Sequence, residues 1–148
     1  MQILLLLTLL FSAVASQACL NLTGKLAGSC LYKSPSFGDL NGSIEFNIQQ
    51  PTCNQITIDG SALAIPGEYE NKAAVGSTVD HIKLVMNWQD SNRNILDFKY
   101  IRTIDENGVR TDDINLNGFF KKNGNKYILE QKGVVDSDPV EIYCELYK

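Results

Sequence analysis

The sequence predicts an all-β fold, an antiparallel meander of about eight short strands that closes into a small up-and-down β-barrel. Two observations predict it. From residue 43 onward, apolar residues recur at every second position, and clusters of Asn, Asp and Gly interrupt these runs. Alternation at this period places one face of a strand in a core and the other in water. A two-sheet β-sandwich is the alternative arrangement of the same strands.

The strands follow from the alternating runs in chain order. Even-numbered residues are largely apolar in segment 26–32 and again in 44–48. Ser61 to Ile65 reads as extended, whereas Pro66 to Thr78, with its Pro-Gly pair and small residues, predicts a loop or a weak edge strand. Later runs with the same alternation are 82–88, 96–104, 114–120, 127–129 and 140–146.

Turn residues separate these runs. Segments 90–94 and 136–139 are rich in Asp, Asn and Ser, which are common turn residues. Asn107-Gly108 and Asn123-Gly124 favour positive φ angles, as in the type I′ turns of two-residue β-hairpins. The sequence therefore predicts hairpin connections between successive strands.

Composition indicates a single globular domain. The 148 residues include 13 Lys+Arg and 17 Asp+Glu, for a net charge of −4, and 44% are hydrophobic. Disordered chains combine low hydrophobicity with high charge, and nucleic-acid binders need a basic surface. We therefore predict one β-barrel domain, residues 19–148, with no nucleic-acid partner.

Residues 1–18 have the features of a signal peptide. Segment 3–11 is apolar except for Thr8, and small residues follow as far as Ala18. This pattern is typical of secretory signals, and the run is shorter than the roughly 20 residues that span a bilayer. The sequence predicts secretion to the periplasm or the extracellular space, with no transmembrane segment in the mature chain. Asn21 and Asn41 begin sequons that would carry glycans in a eukaryotic host.

Four cysteines allow three disulfide connectivities. Cys30 and Cys144 lie on apolar strand faces near the two ends of the chain, which predicts a bridge between them. Cys19 then pairs with Cys53, which we place at the start of a strand. A zinc site is the competing use of four cysteines, but their spacing contains no C-x₂₋₄-C knuckle.

No residue pattern identifies a catalytic site. The single histidine, His81, lies on the solvent side of a strand beside Asp80, and the chain has no nucleophile-elbow motif. Carboxylates cluster at 105–106, 112–113 and 136–138, where Asp serves as a turn residue. We therefore expect a protein that is not an enzyme and that uses no metal or cofactor.

The inward-facing aromatic residues are the candidate site. Small barrels either fill their interior with side chains or keep space for one small ligand. The first hypothesis is a non-enzymatic barrel that binds a small, partly apolar ligand, and a packed core is its alternative. The second hypothesis is a protein-binding module, such as an inhibitor of a secreted hydrolase, which would present the loop 66–78. The predicted ligand-binding residues are Met86, Trp88, Phe98, Tyr100 and Phe120.

One segment resembles known barrel families. Leu22-Thr23-Gly24-Lys25 is similar to the first strand of avidin-like barrels, and lipocalins carry a Gly-x-Trp motif in their first strand. In this chain Leu26 stands where both families carry tryptophan. The resemblance implies a calycin-like size and architecture, and it assigns no function, because fold-level analogy does not establish one.

Overall fold

Ten antiparallel strands form one nearly closed, barrel-shaped sheet. The computed structural model describes residues 18–148, and the described chain contains no helix. The predicted up-and-down barrel is confirmed, with ten strands in place of about eight. The strands are β1 (Gly24–Ser34), β2 (Gly38–Thr52), β3 (Gln55–Ile58), β4 (Ser61–Ala64), β5 (Gly67–Val75), β6 (Thr78–Trp88), β7 (Ile95–Glu106), β8 (Val109–Asn123), β9 (Lys126–Val135) and β10 (Asp138–Tyr147).

The sheet is a chain of hairpins joined by one long-range pairing. Its order is β4-β3-β2-β1-β10-β9-β8-β7-β6-β5, so β1 pairs with β2 on one side and with β10 on the other. β4 and β5 are the terminal strands and contact each other across the seam of the barrel. Residues 1–17, which hold nearly all of the predicted signal peptide, lie outside the described residues.

Of the two predictions for segment 66–78, a loop or a weak edge strand, the structure has the strand, because β5 lies at one end of the sheet. β5 pairs with β6 along its whole length and ends in the two-residue turn Gly76-Ser77. Both faces of β5 are exposed from Glu70 to Val75, so the sequence there lacks the apolar alternation that marks a half-buried strand. The short hairpin β3–β4 accounts for the other additional strand, and Cys53 lies in the turn that precedes β3 rather than within it.

The hairpin turns follow the backbone preferences of their residues. Asn107 and Gly108 both have positive φ, at 51° and 78°, which confirms the predicted type I′ geometry. At the β8–β9 turn the tip is Gly124-Asn125 instead of Asn123-Gly124, because Asn123 already pairs with Lys126. There Gly124 alone supplies the positive φ, at 64°, as in a type II′ turn.

One end of the barrel is sealed by the segment that precedes β1. Leu20 and Leu22 are 7% and 0% exposed and belong to the core. The Leu20 N–H donates to the carbonyl of Arg93 at 2.8 Å, and the Leu22 N–H donates to Oε1 of Gln50 at 2.9 Å. We call this the closed end. The far end carries the hairpin turns β1–β2, β5–β6, β7–β8 and β9–β10.

The apolar core occupies the half of the barrel next to the closed end. Every strand except β5 contributes a side chain that is less than one-tenth exposed. β5 contributes the partly buried Tyr69. The core cluster is Leu20, Leu22, Leu26, Ile48, Ile56, Leu63, Ile65, Met86, Leu96, Phe120, Tyr127, Leu129, Cys144 and Leu146.

Both predicted disulfides are present. Cys30 and Cys144 face each other as direct cross-strand partners of β1 and β10, and the bridge lies in the interior. Cys19 bonds to Cys53, which ties the segment before β1 to the β2–β3 turn. The two disulfides are compatible with an oxidising environment.

Two glycines allow the sheet to curve. A Cβ atom on Gly28 would lie 1.9 Å from the carbonyl oxygen of Glu145, and one on Gly133 would lie 1.9 Å from that of Asn115. No side chain fits at these separations, so backbones of neighbouring strands approach closely where only glycine is accommodated. In the described residues, no helix is long and apolar enough to cross a membrane.

We predict that the two disulfides differ in their contribution to stability. The Cys30–Cys144 bridge closes a loop with a sequence separation of 114 residues, against 34 for Cys19–Cys53. On the chain-entropy model, the double substitution to Ala costs roughly 4–5 kcal/mol for the first pair and about 1 kcal/mol less for the second. Urea unfolding of both double variants measures the difference. A larger loss from the Cys19–Cys53 pair would contradict the argument.

Candidate functional site

An apolar cavity of about 150 Å³ lies inside the barrel. Its walls are inward-facing side chains of β2, β3, β6, β7, β8 and β9, which the two-residue period of each strand directs to the same side of the sheet. Aliphatic and aromatic groups dominate the lining. The lining residues are Phe46, Ile58, Leu84, Met86, Phe98, Tyr100, Phe120, Leu129 and Gln131.

Four of the five predicted ligand-binding residues line this cavity, namely Met86, Phe98, Tyr100 and Phe120. Trp88 lies outside the lining. Its side chain packs against the core, and its Nε1–H donates to the carbonyl of Cys53 at 2.9 Å. A buried indole N–H needs an acceptor, and the chain itself supplies one near the closed end.

Phe120 organises the aromatic wall of the cavity. Its ring is 5% exposed and lies between two other phenylalanine rings. The Phe46 ring meets it edge-on with centroids 6.0 Å apart, and the Phe98 ring is tilted at 41° with centroids 5.6 Å apart. Edge-to-face and tilted arrangements are favourable because the positive ring edge meets the negative ring face. The wall is therefore held by contacts among its own members.

Gly118 makes room for the Phe98 ring. The two residues are direct cross-strand partners on β7 and β8. A Cβ atom on Gly118 would lie 2.5 Å from Cζ of Phe98 and 2.5 Å from the carbonyl oxygen of Glu130. Any side chain at this position would displace the ring or spread the strands. The size of the cavity thus depends on a residue that contributes no side chain to it.

Five lining residues are not among the predicted ligand-binding residues, namely Phe46, Ile58, Leu84, Leu129 and Gln131. Ile58 belongs to the four-residue strand β3, which is too short to show a period. Gln131 is polar, so its inward position is visible only from the register, in which it pairs with Gly118 and Ile142. Phe46, Leu84 and Leu129 belong to alternating runs, and only the cavity distinguishes them from the packed core.

A charged pair faces the interior beyond the cavity. Arg102 follows Tyr100 by two residues on β7 and so points to the same side of the sheet. Its Nε and Nη2 donate to the two carboxylate oxygens of Asp80 at 3.1 and 2.8 Å. The two side chains are 37% and 31% exposed. This bidentate pair places both a donor and an acceptor between the cavity and the far end.

The pair controls the local ionisation states. The hydrogen bond from Arg102 lowers the pKa of the Asp80 carboxyl, and the same bond raises the pKa of the Arg102 guanidinium. Burial raises the pKa of the Tyr100 hydroxyl. At neutral pH the pair is therefore ionised, and Tyr100 keeps its proton.

Two other titratable side chains, those of His81 and Asp90, make hydrogen bonds to nearby residues. His81 Nε2 lies 2.6 Å from Oε1 of Glu70 across the β5–β6 pair. Oδ1 of Asp90 accepts the Asn94 N–H at 2.8 Å inside the β6–β7 turn. Hydrogen bonds of this kind fix turns and strand pairs.

Within residues 18–148, no group of three or more His, Cys, Asp and Glu side chains is placed to hold a metal ion. Comparison of the chain with models of protein families, with characterised proteins and with solved structures gives no match. What the cavity can bind is therefore inferred from its own shape and lining residues.

We predict that Gly118→Ala reduces both stability and cavity volume. The added methyl group cannot fit beside Phe98 and the Glu130 carbonyl, and overpacking of this kind costs about 1–3 kcal/mol. Gly42→Ala is the matched control, because nothing lies within 4 Å of its added Cβ. Thermal unfolding should show a loss for Gly118→Ala and a change within about 0.5 kcal/mol for Gly42→Ala. Equal effects would contradict the steric account.

The Asp80–Arg102 pair predicts a contribution to acid stability. Because the pKa of Asp80 is lowered in the folded state, its stabilisation is present above the ordinary aspartate pKa of about 3.9 and is lost as the pH falls through the lower folded value. Asp80→Asn should therefore flatten the dependence of unfolding free energy on pH in this acid window. Urea unfolding from neutral to acid pH, with the exposed Asp39→Asn as control, measures this slope. An unchanged slope for Asp80→Asn would refute the assignment.

Proposed function

We propose that the protein binds a small, partly apolar ligand in the barrel interior and is not an enzyme. The observation that carries the proposal is the cavity of about 150 Å³, whose lining is largely aliphatic and aromatic. Apolar concave sites with a few polar groups at the margin are typical of small-molecule binding. The side chains at the cavity supply apolar surface, the neutral phenol of Tyr100 and the amide of Gln131.

The volume limits the apolar part of the ligand. A cavity of about 150 Å³ lined by Leu, Ile and Phe in another protein stays dry and takes up benzene. The cavity here is of the same size and is bounded by three phenylalanine rings. We therefore propose an apolar moiety the size of one aromatic ring.

The polar part of the ligand would face Arg102 and Asp80. Both hydrogen bonds to Asp80 use Nε and Nη2, and they leave the Nη1 hydrogens of Arg102 for another acceptor. Oxygen atoms of Asp80 accept further hydrogen bonds. A hydroxyl group on the ring matches this pair, because it both donates and accepts.

We also propose that the protein acts outside the cytoplasm. Its two disulfides join cysteines that are 34 and 114 residues apart in the sequence. Disulfide bonds persist in oxidising compartments. The apolar run at residues 3–11 supports export to the same compartments.

A protein partner is the second candidate, favoured by the edge of β5. β5 is a terminal strand of the sheet, and residues 70–75 are exposed on both faces. An exposed edge strand offers its backbone groups to an extended segment of another protein. This edge takes the place of the inhibitory loop that the sequence predicts.

We predict that filling the cavity abolishes binding. Leu84→Phe inserts a larger side chain into the lining, and Leu40→Phe makes the same change at a residue that is 54% exposed on β2. Toluene and p-cresol are the probes, titrated into the mature disulfide-bonded protein and followed by ¹⁵N NMR. We expect shifts at Met86 and Phe120 in the wild type and Leu40→Phe, and none in Leu84→Phe. p-Cresol should bind more tightly than toluene.

The titration distinguishes a pocket from a packed core. If neither probe shifts the resonances of the lining residues in the wild-type protein, the interior is a core and the proposed function is wrong. If Leu84→Phe still binds with wild-type affinity, the site lies elsewhere on the chain.

A further inference from the structure

A second concave site lies on the outer face of the barrel. It is a groove of about 460 Å³ across β6, β7, β8 and β9. Small-molecule sites have volumes of about 300–1,000 Å³, and the groove lies within this range. Eight of its eleven lining residues face outward, and the sheet itself lies between the groove and the interior cavity. The lining residues are Val85, Asn87, Asp97, Phe98, Lys99, Asn117, Gly118, Phe119, Glu130, Gln131 and Lys132.

Strand register builds the groove from two parallel rows. In the first row, Asn87, Asp97, Phe119 and Glu130 are successive cross-strand partners. In the second row, Val85, Lys99, Asn117 and Lys132 are partners in the same way. Phe98, Gly118 and Gln131 form the intervening register line, and their side chains belong to the interior. We call the two rows together the outer groove.

Several polar groups of the outer groove have no partner within the protein. In residues 18–148, the side chains of Asn87, Asp97 and Asn117 make no hydrogen bond or ion pair with another residue of the chain. Asp97 is half-buried, and burial raises the pKa of its carboxyl. These amide and carboxylate groups offer donors and acceptors at neighbouring positions.

Apolar groups lie beside these polar groups. The Phe119 ring and the Val85 side chain each occupy one position in the two rows. Lys121 Nζ lies 5.0 Å from the centroid of the Phe119 ring, which helps to hold the ring in place. An aromatic ring flanked by amides and a carboxylate matches a molecule that has both C–H faces and hydroxyl groups.

The charges of the outer groove cancel. Asp97 and Glu130 carry negative charge, and Lys99 and Lys132 carry positive charge. Two of these side chains also form ion pairs with residues outside the groove. Glu130 Oε1 lies 3.9 Å from Lys121 Nζ, and Lys132 Nζ lies 2.9 Å from Glu141 Oε1. The groove therefore has no excess of either sign with which to attract an ionic ligand.

We propose that the outer groove binds a neutral saccharide, with the sugar C–H face on Phe119 and its hydroxyl groups hydrogen-bonded by Asn87, Asp97 and Asn117. Sugar hydroxyls donate and accept, so they satisfy amides and a carboxylate at once. The site is distinct from the interior cavity and uses the opposite face of the same strands. Its ligand class follows from the mixed donors, the aromatic ring and the balanced charge.

The test uses neutral disaccharides as probes. Maltose, cellobiose and chitobiose are titrated separately into the mature disulfide-bonded protein, prepared without glycans, and backbone amide shifts are followed by ¹⁵N NMR. We expect at least one of them to shift the amides of Asn87, Asp97 and Asn117 and to leave Met86 unchanged. Preference for chitobiose indicates an N-acetylglucosamine source such as a glycoprotein, and preference for a glucose disaccharide indicates a polysaccharide.

Two matched pairs of variants locate the site. Phe119→Leu keeps apolar volume but removes the ring face, and it should weaken binding about tenfold. Phe37→Leu makes the same change at a residue that is 72% exposed in the β1–β2 turn and should bind as the wild type does. Asn117→Ala, compared with the exposed Asn41→Ala, should show the same contrast. The dispersion of the NMR spectrum reports whether each variant is folded.

The outcomes separate this proposal from the interior site. Absence of shifts with every disaccharide overturns the saccharide assignment and leaves the toluene titration unaffected. Wild-type affinity in both folded groove variants, Phe119→Leu and Asn117→Ala, also overturns it. Tighter binding of glucuronate or glucosamine than of the neutral sugars would contradict the argument from balanced charge.

Discussion

The pairing of β1 with β10 is the constraint on which the rest of the structure depends. Every other strand contact joins neighbours in the sequence, whereas this one brings together segments with a separation of 114 residues between Cys30 and Cys144. Without it the sheet would divide into two pieces, β1–β4 and β5–β10, each with its apolar face exposed to water. The Cys30–Cys144 bridge lies at the centre of this pairing. The same disulfide that restricts the conformations of the unfolded chain therefore also holds β1 and β10 together in the folded sheet. The interior exists because this pairing curls the sheet around its apolar face.

The seam between β4 and β5 divides the interior into two unlike halves. β3 and β4 contribute four residues each, so this hairpin fills the seam only near the closed end. There the segment with Leu20 and Leu22 completes a dry core. Towards the far end the residues of β5 and the first part of β2 are exposed, and charged groups such as Asp80 and Arg102 face inward. The cavity lies where the two environments meet, which is the position that suits a ligand with an apolar body and a polar group.

Much of this architecture could be predicted from the sequence, for physical reasons that also define the limits. Alternation located β2 and β6 to β10 because each has one face in the core, and the inward faces of Cys30 and Cys144 indicated their pairing. The same reasoning could not decide between a loop and a weak edge strand for β5, because that strand is exposed on both faces over most of its length. It selected Trp88 for the lining, but which inward residue borders a void depends on packing in three dimensions, and the indole turned out to bond to the Cys53 carbonyl. Gln131 was missed because hydropathy ranks a residue by type and not by the face on which the register places it.

The cavity and the outer groove are built from one layer of backbone. On β7, Phe98 faces inward between Asp97 and Lys99, which face outward, and Gly118 divides Asn117 from Phe119 on β8 in the same way. Because successive side chains point to opposite faces, substitutions in the two outward rows leave the lining of the cavity intact. Gly118, which lies between the two rows, affects both sites. Because it has no side chain, the Phe98 ring and the Glu130 carbonyl can both lie close to its backbone. A ligand that pressed on Phe98 from inside would therefore act on the strand that carries Asn117 and Phe119, and this contact is the physical route by which the two sites would be coupled.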